Sequence, residues 1–217
     1  MVSDRQKTVF ISGSAYEYGK FGDSGRDFIR NLTKTLLRNH FKIVSGFGAG
    51  VGNHVIEGAL FEIYLEKKSN LTDHFRVYPF PGGGGSNGYN GARADGLDAV
   101  WEDYRSDIIS QAGIVIFIFG NKLEDISVRE ADGMLKEFEI AKSHRALLIP
   151  VGASGYASEK LWKILLEKYD DYFDNREKFS LFERLGQPCN KEQDVTDLID
   201  AILQIALVRS PEPWVTK

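Results

Sequence analysis

The amino-acid sequence predicts an α/β fold: a doubly wound, mainly parallel sheet with flanking helices and extra helices toward the C-terminal end. Three observations predict it. Short apolar runs rich in β-branched residues alternate with longer stretches of helical period, which is the sequence form of βαβ units. One run, Gly113 to Phe119 (GIVIFIF), is apolar throughout, as a strand covered by helices on both faces must be. Beyond about residue 156 the strand signals stop and only helical periodicity continues.

In chain order, strands are expected at Thr8 to Ser12, Lys42 to Ser45, Phe75 to Tyr78, Gly113 to Phe119 and Ala146 to Val151. Between them, helices are expected at Ser24 to Asn39, with Phe28, Leu32, Leu36 and Leu37 on one stripe, and at Asn53 to Lys67, Ala99 to Gln111 and Asp132 to Ser143. Repeated β-α units with short connections imply right-handed crossovers. Later helices are expected at Ser158 to Lys168, Phe179 to Leu185 and Gln193 to Leu207, the last framed by Asn190-Lys191-Glu192 as a start and Ser210-Pro211 as a stop. The chain reads as a single domain over residues 1–217, with a core of about 8–150 and C-terminal helices over about 156–208. Two segments read as loops: the glycine-rich PGGGGSNGYNGARADG (Pro81 to Gly96), expected to be mobile, and the charged LEDISVREAD (Leu123 to Asp132).

Composition narrows the function classes. With 27 basic and 31 acidic residues and a net charge of -4, nothing electrostatic points to a nucleic-acid partner. A single cysteine, Cys189, allows no internal disulfide and fits a reducing, cytoplasmic setting. The start MVSDRQKT has no signal-peptide core, and no apolar run approaches the ~18 residues of a membrane span, so no membrane partner is expected.

Two strand ends carry small residues where an open parallel sheet binds its ligands. Ser12-Gly13-Ser14 follows the first strand, and Gly46, Gly48, Gly50 and Gly52, with Phe47 lodged among them, lead from the second strand into a helix. Small residues let backbone N–H groups and two hydroxyls approach a phosphate or ribose, and the helix start offers free N–H donors and the positive end of a dipole. The series is not GxGxxG, it follows the second strand, and no acidic residue closes the next one in the dinucleotide manner. Glycine serves tight βα turns equally well, so the loop alone leaves turn and ligand cradle both open.

Longer motifs carry a resemblance. VFISGSA followed by IVSGFGAGVGNHVIEGAL resembles the two N-terminal motifs of the SLOG superfamily, which includes LOG phosphoribohydrolases and Smf/DprA proteins. EDYRSDIISQAGIVIFIFG resembles the LOG segment in which a helical arginine precedes the fourth strand, and GMLKEFEIA (Gly133 to Ala141) resembles the end of the signature PGGxGTxxE. Two departures matter: PGG does not follow the fourth strand directly, and Met134 stands where LOG enzymes have threonine. The combination SGSAxEYG, SGFGxGVG, YRxD, FGNK and IPVGASGY is closer to the STALD branch, the ligand-sensing domain behind the sirtuin-like NADase of Thoeris antiphage effectors. The resemblance implies a Rossmann-like nucleotide-binding domain, with Arg105, Lys122 and Glu137 at positions that contact the ligand in that branch. It further implies a cyclic ADP-ribose isomer or related adenine nucleotide as ligand, no cofactor, a TIR protein as source of the signal, and a homo-oligomer, dimer or tetramer.

Each of these residues has an ordinary reading beside the functional one. Arg105 alone reads as a helix-surface arginine paired with Glu102 or Asp103; as a ligand group it forks onto a pyrophosphate. Lys122 reads as a solvated loop lysine or a second anion contact, and Glu137 as a surface glutamate or an acceptor for a ribose diol. Ser12 and Ser14 satisfy a turn or donate to phosphate. Asn53 is expected to cap the following helix, and His54 has no companion at metal spacing. Tyr16 and Tyr18, with Phe47, are candidates to stack on a base. No nucleophile-base arrangement is visible, and Glu137 and Glu139 point to different helix faces. The expected function is a non-enzymatic sensor of a cyclic ADP-ribose-type nucleotide. The alternative is a LOG-like N-glycosidase acting on a nucleoside monophosphate; a DprA-like DNA binder is opposed by the acidic balance.

Overall fold

A computed structural model describes residues 4–66, 70–78, 97–173 and 176–207. Its central sheet is parallel and runs in the order β3-β2-β1-β4-β7, built from β1 (Thr8–Ser14), β2 (Lys42–Ser45), β3 (Phe75–Val77), β4 (Ile114–Phe119) and β7 (Leu147–Pro150). All five strands fall where the apolar runs predicted them, and β1 continues two residues past its expected end. Every residue of β4 is buried, and the strand is hydrogen-bonded on both sides, Val115 opposite Phe10 of β1 and Leu148 of β7. That double pairing is why GIVIFIF shows no alternation.

The helices α1 (Ser24–Arg38), α2 (Gly52–Leu65), α4 (Leu97–Ser110) and α5 (Asp132–Ser143) connect the strands, with a single turn α3 (Leu71–His74) before β3. On α1 the stripe Phe28, Leu32, Leu36 and Leu37 is fully buried, along with Ile29. Each such side chain removes enough apolar surface from water to stabilise the fold by about 1.5–3 kcal/mol. Helix α1 packs on α2 and on the last helix, and α5 packs on α4 and β7. The expected glycine-rich loop, Pro81 to Gly96, lies outside the described residues, as does the Ser210-Pro211 stop.

One expectation is overturned. Leu123 to Asp132 is not an irregular loop: most of it belongs to an antiparallel hairpin of β5 (Asn121–Glu124) and β6 (Ser127–Glu130). Asp125 takes a left-handed backbone (φ 56), which closes a two-residue turn with Ile126. The strands are four residues each, half of them charged and only one apolar in each, so they carry no apolar alternation by which a sequence reader finds strands.

Helices α6 (Tyr156–Glu167), α7 (Tyr169–Tyr172), α8 (Phe179–Arg184) and α9 (Glu192–Ala206) follow β7. An aromatic cluster joins them: Tyr169 stacks on Phe173 at 4.6 Å and meets Phe179 edge-on at 5.0 Å, while Trp162 donates to the Phe182 carbonyl at 2.9 Å. Burial pushes the Tyr169 hydroxyl up to about 12. The Asp194 carboxylate accepts the Asn190 and Lys191 N–H groups at 2.9 Å, fixing the start of α9 at Glu192, one residue before the expected Gln193.

Candidate functional site

Strand order reverses between β1 and β4: β2 and β3 lie on one side, β7 on the other. At such a switch point the loops leaving the two strands diverge and open a crevice beyond the strand ends. Ser12 and Ser14 stand there in register with Phe117 and Phe119 of β4. The Ser12 hydroxyl, 1% exposed, donates to Glu137 Oε2 at 2.5 Å, so β1 is tied to the middle of α5. From α4, Arg105 brings its Nε to 3.8 Å from Glu137 Oε1, with the two side chains only 20% and 12% exposed. Three of the expected residues, distant in sequence, therefore form one polar cluster against an apolar sheet. Arg105 pairs with Glu137 and not with the neighbouring acids of its own helix turn.

The Glu137 carboxyl is raised above its ordinary value, because burial disfavours the charge more than the Ser12 hydrogen bond and the Arg105 guanidinium favour it. A carboxyl so placed is ready to accept from a hydroxyl pair or to receive a proton, and the nearby guanidinium suits an anion. Lys122, at the base of the hairpin, makes its ion pairs with Asp132 (3.0 Å) and Glu124 (3.7 Å) instead of joining Glu137. It is partly exposed, so both pairs are screened and exchangeable.

The glycine loop is explained chiefly by its packing on the first loop. A Cβ on Gly48 would stand 1.8 Å from the Gly13 carbonyl oxygen, and Gly50, at φ +71, would press one within 1.9 Å of the Ala15 carbonyl oxygen. The two loops are also hydrogen-bonded: Ala15 N donates to Ala49 O, and the Tyr18 hydroxyl donates to Gly50 O, each at 2.8 Å. Gly46 and Gly52 are buried, and the free donors expected at the start of α2 are in part already used, since Val51 N and Gly52 N both donate to Gly48 O. Phe47 remains 41% exposed on a left-handed backbone (φ 58), an unusual conformation for an aromatic residue. Tyr18 packs edge-on against Phe119 at 5.4 Å, whereas Tyr16 is 58% exposed.

Asn53 does not cap α2. The helix begins one residue earlier, at Gly52, and Asn53 is exposed within the first turn. His54 contacts Glu57 at 3.0 Å, and Glu57 in turn accepts from Arg30 at 2.6 Å, a surface cluster that lowers the Glu57 carboxyl below its ordinary value. Among the described residues no cluster of His, Cys, Asp and Glu has the makings of a metal site.

Sequence reasoning passed over two features of this edge. Asn121, 1% exposed, sends its side chain into the first loop and bonds three backbone groups there. Tyr156, left-handed at φ 55, donates to the Glu17 carboxylate and so ties the loop after β7 to the loop after β1. Burial and that carboxylate push the Tyr156 hydroxyl up to about 12. An asparagine directly after a glycine at the end of a buried strand was the one legible signal for the first; a tyrosine at a helix start gives none.

The sequence matches the model of the STALD family, described as the Sir2- and TIR-associating SLOG family, over residues 2–207. The chain belongs to this family. It is similar to the NAD(+) hydrolase ThsA of Bacillus cereus (strain MSX-D12), 34% identical over 207 residues that make up 95% of this chain and 41% of that protein. Proteins of the same name from Enterococcus faecium (35% over 206 residues; 91% of this chain, 40% of that protein) and Cytobacillus dafuensis (37% over 199 residues; 90% and 39%) are also similar to it. The STALD chain thus spans about two fifths of the length of the curated relatives it matches. Among its described residues no helix is long and apolar enough to cross a membrane.

Proposed function

We propose that this STALD chain senses a cyclic ADP-ribose-type signalling nucleotide at the switch point between β1 and β4, in a Thoeris-like antiphage system. The observation that carries the reading is the buried Ser12, Glu137 and Arg105 cluster, which offers a guanidinium for the pyrophosphate and a carboxyl for a ribose diol. Lys122, held only by exposed acids, exchanges Asp132 and Glu124 for ligand phosphate, and Phe47 supplies an exposed face for the adenine. Binding favours one arrangement of loops and subunits and shifts a pre-existing equilibrium toward it. The output passes to a sirtuin-like NADase domain or to oligomer packing, in line with the NAD(+) hydrolase relatives. A TIR protein supplies the signal, and the setting is cytoplasmic.

Sensing is favoured over hydrolysis by Met134. This residue, at the position of the LOG threonine, is 4% exposed and packs against Gly120, whose Cβ would lie 2.6 Å from the Met134 sulfur. Its thioether fills space against Gly120 and supplies no hydroxyl where LOG enzymes have one. Calorimetry with cyclic ADP-ribose isomers, ADP-ribose and AMP tests the reading: micromolar or tighter binding of one of them supports it, and no binding to any sinks it. Arg105→Ala is expected to weaken that binding by at least about tenfold, the scale of one charge-assisted hydrogen bond. Release of free base from a nucleoside monophosphate, followed by chromatography, would favour the glycosidase instead.

A further inference from the structure

We infer that Asn121 is the positioning residue that holds three walls of the site in one geometry, an inference that rests on the binding reading above. Its carboxamide oxygen accepts the Tyr16 and Glu17 N–H groups at 2.9 and 3.1 Å, and its amide nitrogen donates to the Glu17 carbonyl at 2.9 Å. Its backbone carbonyl accepts the Ser14 hydroxyl at 3.1 Å, and the adjacent Gly120 N–H donates to the Ser14 carbonyl at 2.9 Å. A 1% exposed side chain that engages a loop's backbone on both its donor and its acceptor side leaves that loop little freedom.

The loop so fixed is the one on which the rest depends. Through Ala15 N to Ala49 O and the Tyr18 hydroxyl to Gly50 O it grips the glycine loop that presents Phe47. In the other direction Asn121 is the first residue of the hairpin, immediately before Lys122, and Ala131 N closes the hairpin's far end onto Gly120 O at 2.8 Å. The first loop, the glycine loop and the Lys122 arm therefore share one buried joint. A ligand that draws on Lys122 acts on a residue covalently next to the joint, and the shift is felt at Phe47 without any contact between the two.

Replacing Asn121 by Asp tests this apart from simple loss of fold. The carboxylate still accepts the Tyr16 and Glu17 N–H groups, but it confronts the Glu17 carbonyl with a second oxygen in place of a donor. Protonation restores an O–H donor, so the defect is expected to recover as pH falls. The charged neighbours Glu17, Lys122 and Glu130, the last opposite Asn121 in the hairpin, are present in wild type as well, which serves as the control at each pH. Two readouts are needed.

Without ligand, amide hydrogen exchange in Asn121→Ala should quicken at Tyr16 and Glu17, and also at Ala15 and Gly120, with Ile116 in the sheet unchanged. Faster exchange confined to Tyr16 and Glu17, or spread over the whole sheet, overturns the joint. With cyclic ADP-ribose as the probe, Asn121→Asp should bind at least about tenfold more weakly than wild type near neutral pH and regain most of the loss in acid. A loss with no recovery, or no loss, overturns the positioning role. Failure of wild type to bind the probe would count against the nucleotide reading, while the exchange experiment would still decide the joint.

Discussion

The two edges of the sheet spend their polar groups differently. At the amino-terminal edge Arg5 donates through Nε to the Ser110 carbonyl at 3.0 Å and through its other end to the His144 carbonyl, closing the last turns of α4 and α5 with one cation. Ser106 and His144 join the same two helices at 2.9 Å, and in the cleft of about 240 Å³ nearby Lys42 is paired with Asp4 and Arg76 with the Thr72 carbonyl. Charges there are used up on helix ends and on each other. At the carboxyl-terminal edge the polar groups turn inward against an apolar sheet, and Phe47, Phe119 and Tyr156 hold left-handed backbones, each costing on the order of 1–3 kcal/mol. His40 and Arg145, at the amino-terminal edge, are left-handed too, so the contrast lies in the polar groups: one edge satisfies them locally, the other holds a buried carboxyl, as binding sites do.

Three substitutions sharpen or break that contrast. The largest effect is expected from Gly48→Ala, whose Cβ has nowhere to go beside the Gly13 carbonyl. Denaturant unfolding should show a loss of about 3 kcal/mol, with nucleotide binding abolished. Arg5→Ala should cost about 1–3 kcal/mol by uncapping two helices, yet leave nucleotide affinity within about twofold. If its affinity falls as far as that of Arg105→Ala, the two edges are not independent.

The smallest effect concerns pH. Glu137 has a folded-state value raised above the ordinary 4.5, so the folded protein holds this proton more tightly than the unfolded chain. Its cost to stability is absent in acid and grows as pH rises from 4.5 through the raised value. Glu137→Gln should remove that decline. Stability measured across the window should fall less steeply in the variant than in wild type; parallel curves would place the carboxyl in a more polar setting than the structure gives it.

Much of the fold was legible because its causes are local. Lys42–Ser45 and Asp132–Ser143 were found to the residue, since an apolar run and a helical stripe are written in consecutive positions. The hairpin was not, because its strands hold charges on both faces and bury only Asn121. At the site, the approach of Arg105 to Glu137 was legible only through likeness to a family; periodicity puts each on a helix and says nothing of the packing of α4 on α5 that brings them to 3.8 Å. The glycines were seen, but the close approach that requires Gly48 and Gly50 was not, since a carbonyl of a distant loop cannot be read from the residues that make room for it.

The hairpin has a consequence for how such a protein can change over generations. From Lys122 to Glu130 none of its residues is buried, and Ile126 at the tip is 99% exposed. Mutations there escape the constraint that a packed interior puts on substitution, although the arm is joined through Lys122 to the buried Asn121. Selection can therefore rewrite this arm residue by residue and leave the five strands of the sheet untouched.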